Sequence, residues 1–303
     1  MKSILITGSN GLLGQKLLKL LSKNTEYKII ATARGENRVS ETTGFEFHSL
    51  DICNEVDVIS LITEVKPNYI INTAAMTNVD QCEDDKEDCW DLNVNAVAYL
   101  TKAAEQTGAF LLHLSTDFIF DGKEGPYLED ATPNPLSYYG DSKLAAEKLL
   151  IESSIDWAIA RTVLVYGITE KMSRSNIILW VKNSLEEGKK LTIVDDQWRS
   201  PTLAEDLAMG CFLIIKNHAT GIFNISGKDV LTPYEMAIQT VEFFKLDASL
   251  IEKTDGSKFQ QKAKRPPKTG FIIDKAVNEI GYNPHSFMEG IKILSQQVTE
   301  QQQ

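Results

Sequence analysis

The sequence predicts an α/β protein: a doubly wound parallel sheet with a smaller, mostly C-terminal lobe. Three observations predict it. Short apolar runs alternate with helical patterns through the first half of the chain. The runs are apolar at successive positions, as strands covered on both faces are. A glycine-rich turn, "ITGSNGLLG", joins the first run to the first helical pattern, the place where such sheets bind phosphate.

Each element follows in order. "SILIT" reads as a buried strand, "LLGQKLLKLLSK" as a helix with apolar residues at helical spacing, "YKIIATA" and "FEFHSLDI" as strands. "VDVISLITEV" is a helix, "NYIINTA" a strand, "DLNVNAVAYLTKAAEQ" a helix and "AFLLHLST" a strand. "SKLAAEKLLIES" is a helix and "WAIARTVLVYG" one strand. After Gly167 the rhythm changes. "SNIILWVKNSLEEGKKLTIV" supplies a helix and a strand, "SPTLAEDLAMGCFLIIKN" a helix, and "GIFNISG" a further core strand. The remainder, including "KAKRPPKTGF", reads as irregular, and the terminal "QQQ" as a frayed tail. The later segments are expected to build the second lobe, with the chain crossing back to the first sheet. The boundaries are 1–166 and 198–226 for a dinucleotide-binding domain, and 167–197 and 227–303 for a substrate-binding lobe.

Composition narrows the function. The chain has 303 residues, 43% hydrophobic and 24% charged, with a formal net charge of −11, ordinary for a globular enzyme. The acid excess argues against a nucleic-acid surface, which needs Lys and Arg to neutralise phosphates. The four cysteines, Cys53, Cys82, Cys89 and Cys211, form no CxxC pattern, so they read as reduced thiols rather than a zinc or redox motif. "CEDDKED" lacks spaced ligands and reads as a solvated helix start, and no metal is expected. The first apolar run is too short for a signal-peptide core, and no stretch is long enough to span a bilayer. A cytoplasmic protein is expected.

Gly8, Gly11 and Gly14 are spaced GxxGxxG. Such glycines let backbone N–H groups approach a pyrophosphate at a helix N-terminus. Asn10, Leu12 and Leu13 belong to the same turn. Dinucleotide sites of this Rossmann type commonly carry an acid after the second strand to bind the ribose 2′-hydroxyl. Here that strand runs out into Arg34, with Arg38 nearby and Glu36 out in the loop. Arginine pairs with a 2′-phosphate, so NADPH is expected, with NADH as the weaker partner. Asp51 and Ile52 end the third strand, placed to cover the adenine.

Tyr139 and Lys143 are four residues apart at the start of a helix, on one face and one turn apart. An ammonium near a phenol lowers its pKa, and such a tyrosine can exchange a proton with a carbonyl oxygen as hydride moves at carbon. Thr116 ends the "FLLHLST" strand, where its hydroxyl can hold the same oxygen. His113 and His48 read as buried strand histidines. Trp180, Trp198 and Phe271 could stack on a base or sugar or simply pack.

With "TGSNGLLG", "NTAAMTNVDQCE", "LNVNA", "STDFIFDG", "YYGDSKLAAE", "ARTVLVYG" and "DDQWRSPTLAEDLA" in place, the chain resembles the extended short-chain dehydrogenases/reductases, and within them the dTDP-4-dehydrorhamnose reductases. The resemblance implies NAD(P)H-dependent reduction of the 4-keto group of a nucleotide-linked sugar, serving cell-surface polysaccharide synthesis. It implies Thr116, Tyr139 and Lys143 as the catalytic trio, with Lys143 also holding the nicotinamide ribose. It implies Asn93 as a support, Ala74 and Ala75 beside the cofactor, and 163–166 passing the nicotinamide. Thr77, Asp117, Phe118, Trp198, Arg199 and Arg265 are assigned to the sugar-nucleotide pocket, the two arginines as partners for its diphosphate. Trp198 and Arg199 depart from the family pattern, and "KRPPKTGFIIDKA" matches it in part. A homodimer is compatible with this reading. Two other functions share the scaffold: a sugar-nucleotide epimerase that retains NAD, and a regulatory subunit that binds NADP, as in the β subunit of methionine adenosyltransferase.

Overall fold

The protein is described by a computed structural model covering residues 1–171, 175–258 and 261–301. Its strands are β1 (Lys2–Thr7), β2 (Tyr27–Ala33), β3 (Glu46–Ser49), β4 (Tyr69–Asn72), β5 (Phe110–Thr116), β6 (Trp157–Thr162), β7 (Val165–Tyr166), β8 (Leu191–Val194), β9 (Thr202–Leu203), β10 (Gly221–Asn224) and β11 (Ile251–Thr254). Its helices are α1 (Leu12–Leu21), α2 (Glu55–Val65), α3 (Val79–Asp84), α4 (Lys86–Trp90), α5 (Ala96–Thr107), α6 (Tyr138–Ile151), α7 (Ile177–Glu186), α8 (Ala204–Asn217), α9 (Pro233–Phe244), α10 (Asp274–Ile280) and α11 (Phe287–Gln301).

Seven strands form one parallel sheet in the order β10-β6-β5-β4-β1-β2-β3. The predicted doubly wound sheet is therefore present, and β10 brings the chain back to it. Strand parity explains the apolar runs. Ile4 and Ile6 of β1 join Leu17, Leu18 and Leu21 of α1 and Leu207 and Cys211 of α8 on one face. Leu5, between them, joins Val58 and Ile62 of α2, Val97 and Leu100 of α5, and Ala146 and Leu150 of α6 on the other. Neighbouring residues feed different cores, so neither parity can be polar. The strand order reverses between β1 and β4, which opens a crevice at their C-terminal ends.

The later segments make a second cluster. β8 and β11 pair in parallel, and their Leu191, Ile193 and Ile251 pack with Val181 and Leu185 of α7 and Ala237 and Val241 of α9. Phe287, Ile291 and Leu294 of α11 pack on Tyr166, Ile178, Leu203 and Met236.

Two expectations need correction. "WAIARTVLVYG" is not one strand. Leu164 takes φ +37°, a conformation a strand cannot continue through, and β7 turns away to pair with β9. The segment after Gly227, expected to be irregular, holds β11, α9, α10 and α11. A signal for α9 is present in the sequence. Thr232 accepts from the Glu235 N–H while the Glu235 carboxylate accepts from the Thr232 N–H, with Pro233 opening the helix, a complete capping box. Helix α10 lies against the large sheet, contributing Ala276 and Ile280 to the core shared with α8. Residues Gln302 and Gln303 of the expected tail lie outside the described residues. Among the described residues, no helix is long and apolar enough to cross a membrane.

Candidate active site

The glycine turn is built for close backbone approach. Gly8 has φ +67°, and a Cβ there would sit 2.8 Å from the Ala74 nitrogen. A Cβ on Gly14 would sit 2.4 Å from the Gly8 carbonyl oxygen. The turn thus nests on the segment that follows β4, with Ala74 beside Gly8. Helix α1 starts at Gly11 with no side-chain cap and no acid in its first turn. Its N–H groups, including those of Leu12 and Leu13, stay available to an anion. Asn10 donates to the Glu36 carbonyl at 2.9 Å and accepts from the Arg38 N–H at 2.8 Å. It therefore ties the glycine turn to the loop after β2.

At the end of β2, the Arg34 side chain is 85% exposed, with the Asp51 carboxylate 4.0 Å away. Arg38 is exposed as well. Ile52 is buried, and Asp51 accepts from the Cys53 N–H at 3.0 Å.

Thr116 ends β5, and Tyr139 and Lys143 lie in the first turns of α6. The helix starts where Ser137 accepts from the Gly140 N–H, earlier than the apolar pattern alone indicates. All three side chains are buried. The Thr116 hydroxyl acts on the Tyr139 phenol, and Phe118 meets the Tyr139 ring edge-on at 5.8 Å. Asn93 lies in a π-helical turn, Asp91–Asn95, ahead of α5. Its amide accepts from the Met76 N–H at 2.9 Å and donates to Ser142 at 3.1 Å. It thus joins the strand end of β4 to α6.

The electrostatics differ from the sequence expectation. Burial raises the Tyr139 pKa, opposed chiefly by the Thr116 hydroxyl, and Lys143 is not among the groups that lower it. Burial lowers the Lys143 pKa to about 8, with Glu147 and Cys89 pulling the other way. The Lys143 amine is 3.0 Å from His113 Nε2. The expected lowering of the Tyr139 pKa by Lys143 does not prevail: the amine lies against the histidine, and the phenol is governed by burial.

Next to Thr116, Asp117 is buried with the Thr116 hydroxyl 3.1 Å away and Thr269 hydrogen-bonded to its other oxygen. Burial raises its pKa against the pull of Arg199. Thr77 and Trp198 are exposed. Both arginines expected to partner a diphosphate are engaged within the protein. Arg199 is buried and donates to the Trp198, Pro266 and Pro267 carbonyls at 2.7, 2.7 and 3.3 Å. Arg265 forks onto Asp80 at 3.2 and 2.8 Å. The donors of Arg199 are spent in building the wall, and Arg265 would have to leave its carboxylate. Phe271 packs on Phe120 inside a small cluster, so it is a packing residue.

Sequence reading took His113 only as a core residue and passed over Asn72, Glu147 and Arg161. His113 contacts Lys143; the signal was parity, since Leu111 of the same strand faces α6. Asn72 contacts the same ring. Glu147 and Arg161 form a buried pair at 2.7 Å that ties α6 to β6.

Comparison with known proteins agrees with this geometry. The RmlD substrate binding domain family matches residues 1–300. The chain is 31% identical to dTDP-4-dehydrorhamnose reductase from Aggregatibacter actinomycetemcomitans, over 96% of this chain and 98% of that one. It is 33% identical to methionine adenosyltransferase 2 subunit beta from Xenopus laevis, over 81% of this chain and 73% of that one. The crystal structure of dTDP-4-dehydrorhamnose reductase from Bacillus anthracis in complex with NADP superposes with a TM-score of 0.84 at 26% identity, covering 98% of this chain and 100% of that one. With an uncapped glycine turn at the switch point of a parallel sheet, buried Thr, Tyr and Lys beside it, and a match spanning nearly the whole chain, this protein belongs to the RmlD substrate binding domain family.

Proposed function

We propose that the chain catalyses NADPH-dependent reduction of the 4-keto group of a nucleotide-linked sugar, as a dTDP-4-dehydrorhamnose reductase does. The observation that carries this reading is the joint burial of Thr116, at the end of β5, and of Tyr139 and Lys143, in the first turns of α6. The glycine turn fits a dinucleotide, because a Cβ at Gly8 or Gly14 would fill the cradle. Bound NADPH would supply the hydride. Gly8, Gly11, Gly14, Leu12 and Leu13 would hold its pyrophosphate and Arg34 its 2′-phosphate, with Asn10 fixing the loop.

The protein's own groups handle the oxygen and its proton. Burial keeps Tyr139 protonated at neutral pH, the state a proton donor to a carbonyl oxygen needs. Thr116 would hydrogen-bond that oxygen, and Asn93 would keep α6 in register with β4. Asp117, Phe118, Thr77 and Trp198 would border the sugar. The ranges 1–166 and 198–226 would serve the cofactor and 167–197 and 227–303 the sugar nucleotide; residues 172–174, 259–260 and 302–303 of the second set lie outside the described residues. The four free cysteines support a reducing compartment, the cytoplasm.

The test is NADPH oxidation with a panel of nucleotide-linked 4-keto-sugars. Tyr139→Phe should lower turnover by about 10²–10⁴-fold, the usual worth of general acid catalysis, while NADPH still binds. Sequence similarity to the methionine adenosyltransferase subunit sustains a second reading. Tight NADPH binding without turnover on any sugar would favour it, and retained NAD with sugar inversion would favour an epimerase.

A further inference from the structure

His113 sits in the middle of a buried line of side chains. The Thr7 hydroxyl is 2.6 Å from Asn72 Oδ1, the Asn72 amide nitrogen 3.1 Å from His113 Nδ1, and His113 Nε2 3.0 Å from the Lys143 amine. All four residues are buried. The line crosses β1, β4 and β5 and ends on α6. At its far end Thr7 adjoins Gly8 of the phosphate turn.

We propose that His113 is a positioning residue for Lys143, and that this line ties the direction of its hydrogen bonds to the charge on the Lys143 amine. Donor counting carries the argument. A neutral imidazole has one N–H and one acceptor nitrogen. With Asn72 donating to Nδ1, as found, the ring proton is on Nε2. It then donates to Lys143, which must offer a lone pair and is neutral. If Lys143 is an ammonium it has no lone pair and must donate to Nε2. The ring proton then moves to Nδ1, Asn72 must turn its carbonyl toward the ring, and Thr7 changes from donor to acceptor. Along the line the donors and acceptors match in these two arrangements, and a mixture of them would set donor against donor or acceptor against acceptor. The ammonium arrangement holds one proton more than the neutral one.

The remaining groups facing this line are few. Glu147 approaches Lys143 from its own helix, held by Arg161 of β6, and Cys89 approaches from α4. Burial and Lys143 both keep the His113 ring from becoming an imidazolium. The histidine therefore answers Lys143 by changing tautomer rather than charge. The consequence for catalysis rests on the proposed reductase reading, in which Lys143 holds the nicotinamide ribose, whereas the coupling itself does not.

The test uses the intact wild-type chain labelled with ¹⁵N-histidine, followed by long-range proton–nitrogen NMR from pH 6 to pH 10, with His113→Gln used to assign the resonance. His113 should remain neutral and pass from the Nδ1–H to the Nε2–H tautomer as pH rises through about 8, where Lys143 loses its proton. In Lys143→Met the tautomer should not change with pH. A single tautomer across the range in the wild type, or a ring that gains a second proton, would overturn the proposal. Kinetics supplies a second reading on a folded enzyme. His113→Phe keeps the ring volume and should lower turnover about tenfold, the worth of one hydrogen bond, and shift the pH–rate profile. His113→Gln, which offers both an acceptor and a donor, should recover part of it. An unchanged profile in folded His113→Phe would count against the proposal. Failure of the reductase reading would show as no turnover on any sugar with the NMR result intact.

Discussion

Lys143→Met should separate stability from function. Lys143 is 2% exposed, and burial brings its pKa from 10.5 to about 8. The sign follows from proton counting. Between about pH 8 and 10.5 the unfolded chain binds a proton that the folded protein has released, so stability rises with pH through that window. At 1.36 kcal/mol per pH unit the rise amounts to roughly 3 kcal/mol. Below pH 8 the folded protein carries that sum as the cost of a buried ammonium. Methionine keeps the unbranched stem and removes the charge. It also removes the bond to His113, worth about 1 kcal/mol. The variant should therefore be more stable than wild type at pH 7 by about 2 kcal/mol, and that advantage should vanish by about pH 10. Urea unfolding of both proteins from pH 7 to 10 measures it. Tyr139, Tyr166 and Cys211, whose pKa values are raised by burial, act in the opposite sense at high pH and cancel in the difference. Turnover should be lost in the same variant. A stability gap that does not change with pH would refute the reasoning.

Three further outcomes can be checked. Arg34→Ala should raise the Kd for NADPH about tenfold, from the loss of one exposed charge-assisted pair worth about 1.5 kcal/mol, and leave NADH nearly unchanged; equal losses in calorimetric titration would remove the 2′-phosphate role. Arg161→Met leaves Glu147 buried without its partner and should cost about 3–5 kcal/mol in denaturant unfolding, with a loss under about 1 kcal/mol contradicting the pair's role. Arg199→Ala should cost about 2 kcal/mol of stability or more, since buried bonds from a charged donor are lost; a raised KM for the sugar nucleotide with stability intact would restore Arg199 as a substrate ligand.

Much of this protein follows from short-range information. Apolar runs without alternation specify strands covered on both faces, because each parity meets its own core. Gly8 and Gly14 are required where one backbone passes against another, and the requirement shows in their spacing. Tyr139 and Lys143 share a face because they are four residues apart in a helix. These are properties of a few consecutive residues, so the sequence alone determined most of the sheet, the glycine turn and the shared face of Tyr139 and Lys143. The helices after Gly227 were legible in part, since Thr232, Pro233 and Glu235 form a cap within four residues, but the apolar pattern there is interrupted too often to reveal them. What each buried polar group does was decided by tertiary structure. Arg199 is spent on carbonyls 67 and 68 residues away. Asn72 meets Thr7 across 65 residues and His113 across 41, and His113 meets Lys143 across 30. Periodicity records which side of an element is buried, but not which donor waits there. That depends on neighbouring strands and on the helix packed over them, which is why Arg199 meets the carbonyls of a distant segment and a histidine expected only to fill the core meets Lys143.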